Sequence, residues 1–555
     1  MAVPSNQDIL QQWRNRPAPL LPLLHAFHER DGFLSEETMR GISSTLHIPL
    51  AELFGTVTFY HHLSRDKEEK GPRVCTGPVC RLNGGLELLD ELKKDGAAAM
   101  PCAGRCDDPV PVLRDGRTLS GTTAGSLKTR LTPLPPPNRS NFEECVFSSI
   151  RQKGRSELDG YRSTGGYEAL TRAVSELEPA DLIHLITDNG LAGRGGAGFP
   201  TGGKWRAVAD ATAHPKTVVC NADEGEPGCF KDRAILCHDP HAVLEGMALA
   251  AYATGATRGF IYLRYEYPEA HNVLQHAIHE AEEAGFLGDG ILGTDFGFHI
   301  HLRRGAGAYI CGEEGSLLNS LEGKHPFPRN RPPFPVTHGY ENLPTVVNNV
   351  ETLAAAVQLV RHGGGWYRNL GLNEHAGTKV ISLSGDIQQP GNYEVPLGLP
   401  INTLLYDMAG GPPQGRSIQA VTMAGLSGGF LAGNDLEVTL DEPSIRAKGS
   451  FLGAGGVMVF DDTRDMIQLA HTAMEFFADE SCGKCFPCRI GTARLTERLA
   501  GESGPKNLTS WIDEVNDIGR TMKALSACGL GIAAPLITES LLRYFPERVA
   551  ERVLR

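Results

Sequence analysis

Residues 193–204 read Gly-Arg-Gly-Gly-Ala-Gly-Phe-Pro-Thr-Gly-Gly-Lys and contain the Gly-x-Gly-x-x-Gly spacing of dinucleotide-binding loops. In a Rossmann fold this loop directly follows a strand, but residues 180–188 have the pattern of a helix. The loop also continues through Phe199 to Lys204 before any new helix is expected. We therefore predict a loop outside a Rossmann fold whose backbone approaches a phosphate or a flat ring, with Arg194 and Lys204 as charge partners.

Two acidic segments follow this glycine loop. Asn221, Asp223, Glu224 and Glu226 come after a predicted strand that ends at Cys220. Crowded carboxylates are costly unless they face water or bind a ligand with donors, such as a ribose or an isoalloxazine edge. A solvated acidic loop is the alternative. The second segment, 305–314, again places acidic and aromatic residues after glycines, and the three segments together indicate a pocket for a dinucleotide and a flavin.

The cysteines fall into two groups with metal-ligand spacing. Cys482, Cys485 and Cys488 are each two residues apart, and Cys528 follows in a later helical segment. This is the pattern that binds three corners of a [4Fe–4S] cluster and takes the fourth ligand from elsewhere. A four-cysteine zinc site is the alternative, although zinc sites usually pair two separate Cys-x2-Cys hooks. Lys484 and Arg489 would place positive charge beside the anionic cluster.

The N-terminal group consists of Cys75 and Cys80, then Cys102 and Cys106, with an amphipathic helix at 84–95 between the two hooks. Two short hooks suit a [2Fe–2S] cluster in which each hook binds one iron, and zinc is again the alternative. The other cysteines have no ligand spacing, and we expect them to be small buried apolar residues. They are Cys145, Cys220, Cys229, Cys237 and Cys311.

The composition narrows the class of protein. A chain of 555 residues predicts about three to five domains, and 41% hydrophobic with 21% charged residues is ordinary for a globular protein. The formal charge of −13 disfavours nucleic acid as a ligand. The first twenty residues have no apolar signal region, and no run of about 18 apolar residues occurs. We therefore expect a cytoplasmic protein without a membrane span, in which clustered thiols bind metal.

Pattern changes divide the chain into an α/β multidomain arrangement. Ser35 is predicted to cap a helix within an N-terminal helical unit, and the prolines of 131–138 predict a linker. The predicted units are a helical bundle (1–65), a [2Fe–2S] module (66–128), the proline-rich linker (129–160), an α/β domain (161–372), a small β-rich domain (373–460) and a helical domain (461–555).

Residues from about 160 to 555 closely resemble the flavin- and NADH-binding subunit of respiratory complex I. The motifs that carry this resemblance are GRGGAGFPTGGKW, NADEGEPGCFKDR, AYICGEEGSLLNSLEG, RPPFP, NNVETL and SCGKCFPCRIG. Residues 18–125 resemble the thioredoxin-like [2Fe–2S] subunit that accompanies it, through LLHAFHERDGFLSEE, FGTVTFYHHL, CTGPVC and PCAGRCDDPVPV. The resemblance implies a thioredoxin-like module, a non-Rossmann FMN domain, a β-grasp domain and a helical bundle. It also implies FMN, NAD(H), one [4Fe–4S] and one [2Fe–2S] cluster as cofactors.

The resemblance assigns roles residue by residue. FMN would be held by Gly193, Arg194, Gly195, Gly196, Gly198 and Lys204, with Asn221, Asp223 and Asn348 at its ring and ribityl chain, and Glu224 belongs to the same cofactor-binding set. Phe199, Glu226, Glu313, Glu314 and Phe334 would line the NADH site, with Phe334 against adenine and Glu314 near the nicotinamide. Tyr309 and Gly312 would stand against the flavin, which puts Cys311 beside it. No catalytic residue is expected outside this site.

Two departures from the family pattern stand out. The stretch between Cys80 and Cys102 is shorter than in the complex I subunit, which changes the surface around the small cluster. Arg331 occupies a position where lysine is common, and its planar fork would contact the NAD pyrophosphate in place of a point charge.

Fusion of the two parts in one chain is similar to the diaphorase subunits of cytoplasmic NAD-dependent formate dehydrogenases and NAD-reducing hydrogenases. We expect an NADH:acceptor oxidoreductase subunit that passes single electrons to or from a partner. The preferred partner is a catalytic subunit that carries a molybdenum or tungsten pterin, oxidises formate and holds further iron–sulfur clusters. A hydrogenase or a complex I-like dehydrogenase is the alternative. An electron-transfer scaffold without NADH binding is a second class of alternative, disfavoured by the intact pocket residues.

Overall fold

The computed structural model describes residues 3–66, 71–501 and 507–553, so the predicted end at 555 and residues 67–70 of the predicted [2Fe–2S] module lie outside the described residues. The N-terminal unit is helical. Ser35 caps its third helix as predicted, since its side chain accepts the backbone N–H of Thr38. Leu24 and Phe27 of this unit share a core with Phe260 of the next sheet. The helices are α1 Asn6–Trp13, α2 Leu20–Asp31, α3 Glu36–Leu46 and α4 Leu50–Phe59.

The cysteine hooks at 75–106 lie on a small mixed sheet with strand order β2-β1-β3-β4-β5. Its first two strands are parallel and the rest pair antiparallel. The amphipathic helix between the two hooks begins at Gly85, where a Cβ would lie 2.9 Å from the carbonyl oxygens of Cys75 and Cys80. The elements are β1 Arg73–Cys75, α5 Pro78–Leu82, α6 Gly85–Leu92, β2 Ala98–Met100, β3 Pro111–Arg114, β4 Arg117–Ser120 and β5 Lys128–Thr129.

The segment predicted as a linker differs from that expectation in its second half. Residues 131–138 are irregular, as their prolines require. Cys145, Phe147 and Ile150, however, are buried in the core of the following domain. The carboxylate of Glu394 accepts the backbone N–H groups of Cys145 and Phe147 at 2.9 and 2.6 Å, which fixes this part of the chain in place.

The central domain is a four-stranded parallel sheet, in the order β8-β7-β6-β9, with helices around it. Three of its strands, β6, β7 and β9, are mostly buried, as expected for a parallel sheet covered by helices, whereas the edge strand β8 is only partly buried. The strands are β6 Lys216–Ala222, β7 Ala256–Leu263, β8 His299–Arg304 and β9 Thr345–Asn349. The helices are α7 Leu158–Arg162, α8 Glu168–Glu176, α9 Pro179–Asp188, α10 Thr201–Ala209, α11 Lys231–His238, α12 Pro240–Thr254, α13 Pro268–Glu283, α14 Glu314–Leu321, α15 Pro335–His338, α16 Val350–His362 and α17 Gly364–Asn369.

The helix predicted before the glycine loop is present as α9, so the loop does follow a helix. The expectation that no new helix begins before Lys204 is wrong, because α10 starts at Thr201, directly after Pro200. Gly202 makes this early start possible. A Cβ at that position would lie 2.1 Å from the hydroxyl of Thr187 in α9, so only glycine lets the two helices approach.

The β-rich segment after residue 373 forms a mixed sheet in the order β11-β10-β14-β12-β13. Its central pair, β10 and β14, is parallel, and the remaining pairs are antiparallel. Its core contains Leu383, Val421 and Val459. The elements are β10 Thr378–Gly385, β11 Gly391–Pro396, β12 Ile418–Thr422, β13 Phe430–Ala432, α18 Glu442–Ala447 and β14 Gly456–Asp461.

The C-terminal part is helical and completes the predicted α/β multidomain architecture. The helices are α19 Met466–Asp479, α20 Phe486–Ala500, α21 Leu508–Leu525, α22 Gly529–Ala533, α23 Pro535–Tyr544 and α24 Pro546–Val553. Their core, which contains Phe477 and Leu495, also takes in Cys102 and Cys106 of the small N-terminal sheet. Among the described residues, none of the helices combines the length and apolar character needed to cross a bilayer.

Candidate functional site

The glycine loop and the acidic loop meet at a cavity of about 300 Å³ beside the carboxyl ends of β6 and β9. Ligands of open α/β sheets bind at such strand ends. Residues from the flavin domain, the β-rich domain and the C-terminal helices surround it. Of the residues predicted to hold FMN or NADH, those that line the cavity are Gly195, Gly196, Asn221, Asp223, Glu224, Glu226, Tyr309, Gly312 and Glu313.

The glycine loop presents backbone to this cavity. Gly196 has a φ of +135° and Gly198 one of +64°, conformations that favour glycine. A Cβ on Gly195 would lie 2.9 Å from that of Asn349. Gly193 closes the loop by donating its N–H to the carbonyl of Phe199 at 2.8 Å. The loop therefore has room for a flat or phosphorylated ligand to reach its main chain.

Arg194 does not line the cavity, although it was predicted as a charge partner for the ligand. Its buried guanidinium donates to the hydroxyl of Tyr367 at 2.8 Å, and its N–H donates to Thr352. Its carbonyl accepts from the ammonium of Lys379 at 2.6 Å. Arg194 thus anchors the glycine loop, because burial is tolerable for a guanidinium only with such partners.

The three carboxylates of the acidic loop have different tasks. Glu224 is buried and accepts the N–H groups of Asp232 and Arg233 at the start of α11, together with the hydroxyl of Tyr267. The start of α11 thus binds the carboxylate oxygens of Glu224, although the residue also lines the cavity. Burial raises its pKa to about 7. Asp223, in contrast, has a buried Oδ2 without a hydrogen-bond partner among the described residues.

Of the three carboxylates in the acidic loop, Asp223 is therefore the one with an oxygen left to bind a ligand. It lines the cavity, and burial raises its pKa well above the usual range. In its protonated form Oδ2 can donate to a ring or a ribityl hydroxyl. Next to it, the side-chain amide of Asn221 donates to the carbonyl of Gly312 at 2.8 Å, which fixes the floor of the cavity. An orphaned buried oxygen beside a glycine cradle fits FMN.

Glu226 joins two domains at the cavity. Its carboxylate accepts from the hydroxyl of Tyr309 at 2.5 Å and from the hydroxyl of Ser427 at 2.7 Å. It also accepts the N–H groups of Leu426 and Ser427. Burial raises the pKa of Glu226, and these hydrogen bonds oppose that change. Glu226 and Tyr309 thus hold the β-rich domain against the flavin domain where the predicted NADH and flavin sites meet.

A charged rim leads away from the cavity. The ammonium of Lys204 lies 3.1 Å from Glu314, and Arg331 pairs with Glu314 at 2.9 Å and with Glu313. Glu313 also caps α14 by accepting the N–H of Ser316. A pyrophosphate could exchange places with the carboxylates around Lys204 and Arg331, because both groups accept from the same donors.

Two aromatic rings flank this rim. Phe199 and Phe334 are 53% and 52% exposed, and such large apolar side chains offer stacking faces for a base. The ammonium of Lys204 lies 5.8 Å from the centre of the Phe199 ring. Asn348, predicted at the ribityl chain, is instead buried and accepts from the indole N–H of Trp205 at 2.9 Å. Its neighbour Asn349 lines the cavity.

The cysteines predicted for the [4Fe–4S] cluster, Cys482, Cys485, Cys488 and Cys528, line one small cavity together. The N–H of Ala527 donates to Cys485 Sγ at 3.5 Å. Burial raises the pKa of Cys488 to about 12 and that of Cys528 to about 11, so these thiols become good ligands only when a metal displaces their protons. The ammonium of Lys484 is bound to the carbonyl of Pro328 at 2.5 Å.

The N-terminal hooks also converge. Cys75, Cys80, Cys102 and Cys106 are all buried, and Cys102 Sγ lies 3.5 Å from Cys106 Sγ. The N–H groups of Ala103 and Gly104 point at Cys75 Sγ and Cys102 Sγ, each at 3.4 Å. Backbone donors aimed at sulfur are a feature of iron–sulfur sites, where they stabilise the reduced cluster. The five remaining cysteines are buried, as predicted.

Two arginines connect this cysteine module to the flavin cavity. Arg264 donates to the carbonyl of Cys102 at 2.6 Å, to the carbonyl of Glu224, and to the carboxylate of Glu266 at 3.1 Å. Arg233 donates to the carbonyl of Gly104 at 2.6 Å and pairs with Asp107. The sequence contained no signal for these contacts, because the partners of each arginine in the cysteine module lie more than 120 residues away.

A buried charge network behind the glycine loop was also not predicted from the sequence. Lys231 lies 2.6 Å from Asp232 and 3.0 Å from Glu351, which in turn lies 3.8 Å from Lys379 of β10. Asn349 donates to Asp232 at 2.6 Å. The NNVETL motif pointed to this region, but nothing in it indicated the lysine partners.

Three parts of the chain match known family models. Residues 186–358 match the Nuo51 FMN-binding domain, residues 468–552 the NADH-ubiquinone oxidoreductase-F iron–sulfur binding region, and residues 6–113 the thioredoxin-like [2Fe-2S] ferredoxin.

Relatives with known names agree with these matches. The chain is 44% identical over 407 residues to the F 2 subunit of NADH-quinone oxidoreductase from Rhizobium meliloti, covering 73% of this chain and 96% of the relative. It is 33% identical over 580 residues to the alpha subunit of the NAD-reducing hydrogenase HoxS from Cupriavidus necator, covering 99% and 94%. A solved NAD+-reducing [NiFe]-hydrogenase in its air-oxidized state superposes with a TM-score of 0.80 at 30% identity, covering 97% of this chain and 94% of that one.

Proposed function

Because the chain belongs to the family of NADH-binding FMN and iron–sulfur subunits found in complex I and the NAD-reducing hydrogenases, we propose that it is the diaphorase subunit of an NAD-reducing hydrogenase type of complex. The cofactors of the family are FMN, NADH, a [4Fe–4S] and a [2Fe–2S] cluster. The match to the HoxS alpha subunit extends over both the cysteine module and the flavin part, which supports the hydrogenase type of partner. The formate dehydrogenase partner expected from the sequence has no such support among the relatives described above.

The observation that carries this proposal is a shared wall. Ile310, Cys528 and Leu530 line both the flavin cavity and the small cavity of the four C-terminal cysteines. One layer of side chains therefore separates the proposed flavin site from the proposed cluster. Cys102 lines a further small cavity together with Asp223 and Tyr309, so the other cysteine module contacts the same cavity wall from a second side.

When bound, FMN supplies a centre that accepts a hydride as two electrons and releases electrons singly to iron–sulfur clusters. The protein residues orient and bind. Gly195 and Gly196 admit the cofactor to the main chain, and Asp223 Oδ2 supplies a donor or acceptor to it. Tyr309 is held by Glu226 at the cavity wall, where its ring packs edge-on against Phe476 at 5.2 Å and excludes water.

The dinucleotide would lie along the rim. We assign Phe334 and Phe199 to stacking, Arg331 and Lys204 to the pyrophosphate, and Glu313 and Glu314 to the polar groups near the nicotinamide end. Arg331 and Lys204 are both paired with Glu314, so NADH would replace these ion pairs instead of meeting bare charges. Such pre-positioned cations are already oriented and lose little freedom on binding.

Electrons would leave through an exposed apolar surface at the C-terminal cysteines. Phe486 and Leu525 are each 66% exposed, and Ile532 is exposed as well. Phe486 directly follows the ligand Cys485, and Leu525 lies three residues before Cys528. An exposed apolar patch of this kind marks a protein interface. We assign it to the partner subunit, which would carry the substrate site of a water-soluble cytoplasmic complex.

Two experiments test the function. Anaerobic titration of the reconstituted protein with NADH should bleach the flavin absorbance and produce reduced-cluster EPR signals, and the absence of both would overturn the diaphorase assignment. Metal analysis of the complex purified from its native host should then find nickel. Molybdenum or tungsten in its place would identify the formate dehydrogenase type of partner. Neither outcome depends on the other.

A further inference from the structure

A cluster of metal-ligating side chains lies on the surface of the flavin domain, away from the flavin cavity and both cysteine sets. Glu157 at the start of α7 meets His276 and Glu280, which are four residues apart on α13. One ligand atom from each lies within 4.8 Å of the others. We propose that these three side chains form a binding site for a divalent transition metal ion, for which Zn²⁺ is the best match.

The spacing of the donor atoms supports zinc. His276 Nε2 lies 2.9 Å from a carboxylate oxygen of Glu157 and 3.7 Å from one of Glu280. Around a tetrahedral zinc with bonds of about 2.0–2.1 Å, neighbouring donor atoms are about 3.3–3.4 Å apart. The two observed distances lie on either side of this value. Side-chain movements of a few tenths of an ångström would bring both of these distances to that value, and the carboxylate oxygens of Glu157 and Glu280 lie within 4.8 Å of each other.

Glu280 is already oriented for this role. Its Oε2 accepts the N–H of Leu158 at 3.3 Å and faces Nε2 of His241 at 3.2 Å, while Oε1 faces His276. The imidazole of His241 is fully buried. Its Nδ1 lies 3.0 Å from the hydroxyl oxygen of Tyr167, so both ring nitrogens have a polar partner that holds the ring in place. Outer hydrogen bonds of this kind orient the ligands of metal sites.

The chemistry of the donors selects the metal. One imidazole and two carboxylates suit Zn²⁺ and its neighbours, whereas Ca²⁺ and Mg²⁺ prefer oxygen ligands alone. The two carboxylates would neutralise the charge of the ion. Glu157 and His276 are exposed, so a metal ion can enter from solvent and keep water at its fourth position. A bound zinc ion would crosslink the start of α7 to α13, at the point where the chain enters the flavin domain.

The same helix offers a matched control. His279 and Glu283 are also four residues apart, with His279 Nε2 3.3 Å from Glu283, and both are exposed. Among the described residues, no third metal-ligating side chain joins this pair. His279→Ala therefore removes a surface imidazole and an ion pair of similar geometry without touching the proposed site.

The test is equilibrium dialysis of the untagged holoprotein against micromolar ZnCl2, with zinc and iron measured in the same samples. Unchanged iron content ensures that zinc has not entered the cysteine sites. The wild type should bind one zinc that His276→Ala and Glu280→Gln bind at least ten-fold more weakly, while His279→Ala stays within two-fold. Zinc should raise the melting temperature of the wild type but not that of His276→Ala. Equal zinc binding by the wild type and His276→Ala, or equal loss in His279→Ala, would overturn the proposal.

Discussion

Replacing Arg264 with methionine tests whether a buried ion pair fixes the N-terminal cysteine module to the flavin cavity. The guanidinium of Arg264 lies 3.1 Å from the carboxylate of Glu266, and both side chains are almost fully buried. The same guanidinium donates to the carbonyls of Cys102 and Glu224. Methionine has a similar length but no donor, so the substitution leaves three buried acceptors without this partner.

The magnitude follows from these contacts. Removing one partner of a buried ion pair costs about 3–5 kcal/mol, because the remaining charge stays buried. Each unsatisfied carbonyl adds about 1–3 kcal/mol. His62, 3.1 Å from Glu266, remains as a partner and offsets part of this loss. We therefore expect the junction to lose about 4 kcal/mol at neutral pH.

The pH dependence has a definite sign. Burial alone would raise the pKa of Glu266, but Arg264 and His62 hold it below its ordinary value. A carboxyl with a depressed pKa stabilises the fold above its unfolded pKa, and this contribution is lost as the pH falls toward the folded value. The loss of stability at the junction in Arg264→Met, relative to the wild type, should therefore be largest at pH 7 and should become smaller below about pH 4.5.

Hydrogen exchange measured by mass spectrometry is the assay, since it reports local opening. A loss of about 4 kcal/mol corresponds to roughly thousand-fold faster exchange in peptides that contain residues 101–108. Arg258→Met is the control, because the Arg258–Glu341 pair near the same strand is partly exposed and is worth little. Glu266→Gln added to Arg264→Met should restore about half of the protection. Less than ten-fold faster exchange in Arg264→Met would refute the reasoning.

Three further predictions concern the proposed cofactor sites. Phe334→Ala should raise the KM for NADH in dye reduction about ten-fold or more at unchanged FMN content. Phe54→Ala, which also removes an exposed ring, should leave this KM unchanged. Equal KM values for the wild type and Phe334→Ala would contradict the stacking role. Cys488→Ala should remove about four irons per chain and the [4Fe–4S] EPR signal while NADH-dependent dye reduction continues, so full iron content would count against the ligand assignment. Burial lowers the pKa of Lys379 to about 8. Between pH 8 and about 10.5, Lys379 therefore holds more protons in the unfolded chain than in the folded protein, and the wild type should become more stable as the pH rises. In thermal melts, Lys379→Met should not show this gain in stability. If the melting temperatures of the wild type and Lys379→Met changed with pH at the same rate, the lowered pKa of Lys379 would be refuted.

The convergence of the cysteines within each set could be predicted because the information in their spacing is local. The Cys482–Cys488 spacing places three thiols around one point whatever the rest of the chain does, and the hook at 75–80 behaves in the same way. The helix cap at Ser35 is equally local, since its side chain reaches only three residues ahead. The buried state of the unpaired cysteines followed from the apolar character of the thiol.

The roles of individual polar residues could not be predicted, because they depend on partners that are distant in sequence. Glu224 and Asp223 are adjacent in sequence. The carboxylate of Glu224 accepts from the start of α11, whereas Asp223 keeps a buried oxygen without a hydrogen-bond partner among the described residues. Arg194 lies within the glycine loop but turns to Tyr367, 173 residues away. Asn349 lines the cavity in place of the predicted Asn348, because side chains along a strand alternate between its two faces.

The sequence by itself therefore determined the inventory of this protein: two cysteine clusters, a glycine loop outside a Rossmann fold and an acidic segment, each set by short-range spacing. Only the tertiary structure decided how these parts meet. Packing places Cys528 in the wall of the flavin cavity, and the buried cations of Arg264 and Arg233 draw the N-terminal module to the same place. Charges that leave water must find partners wherever the chain brings them, and no local pattern records that choice.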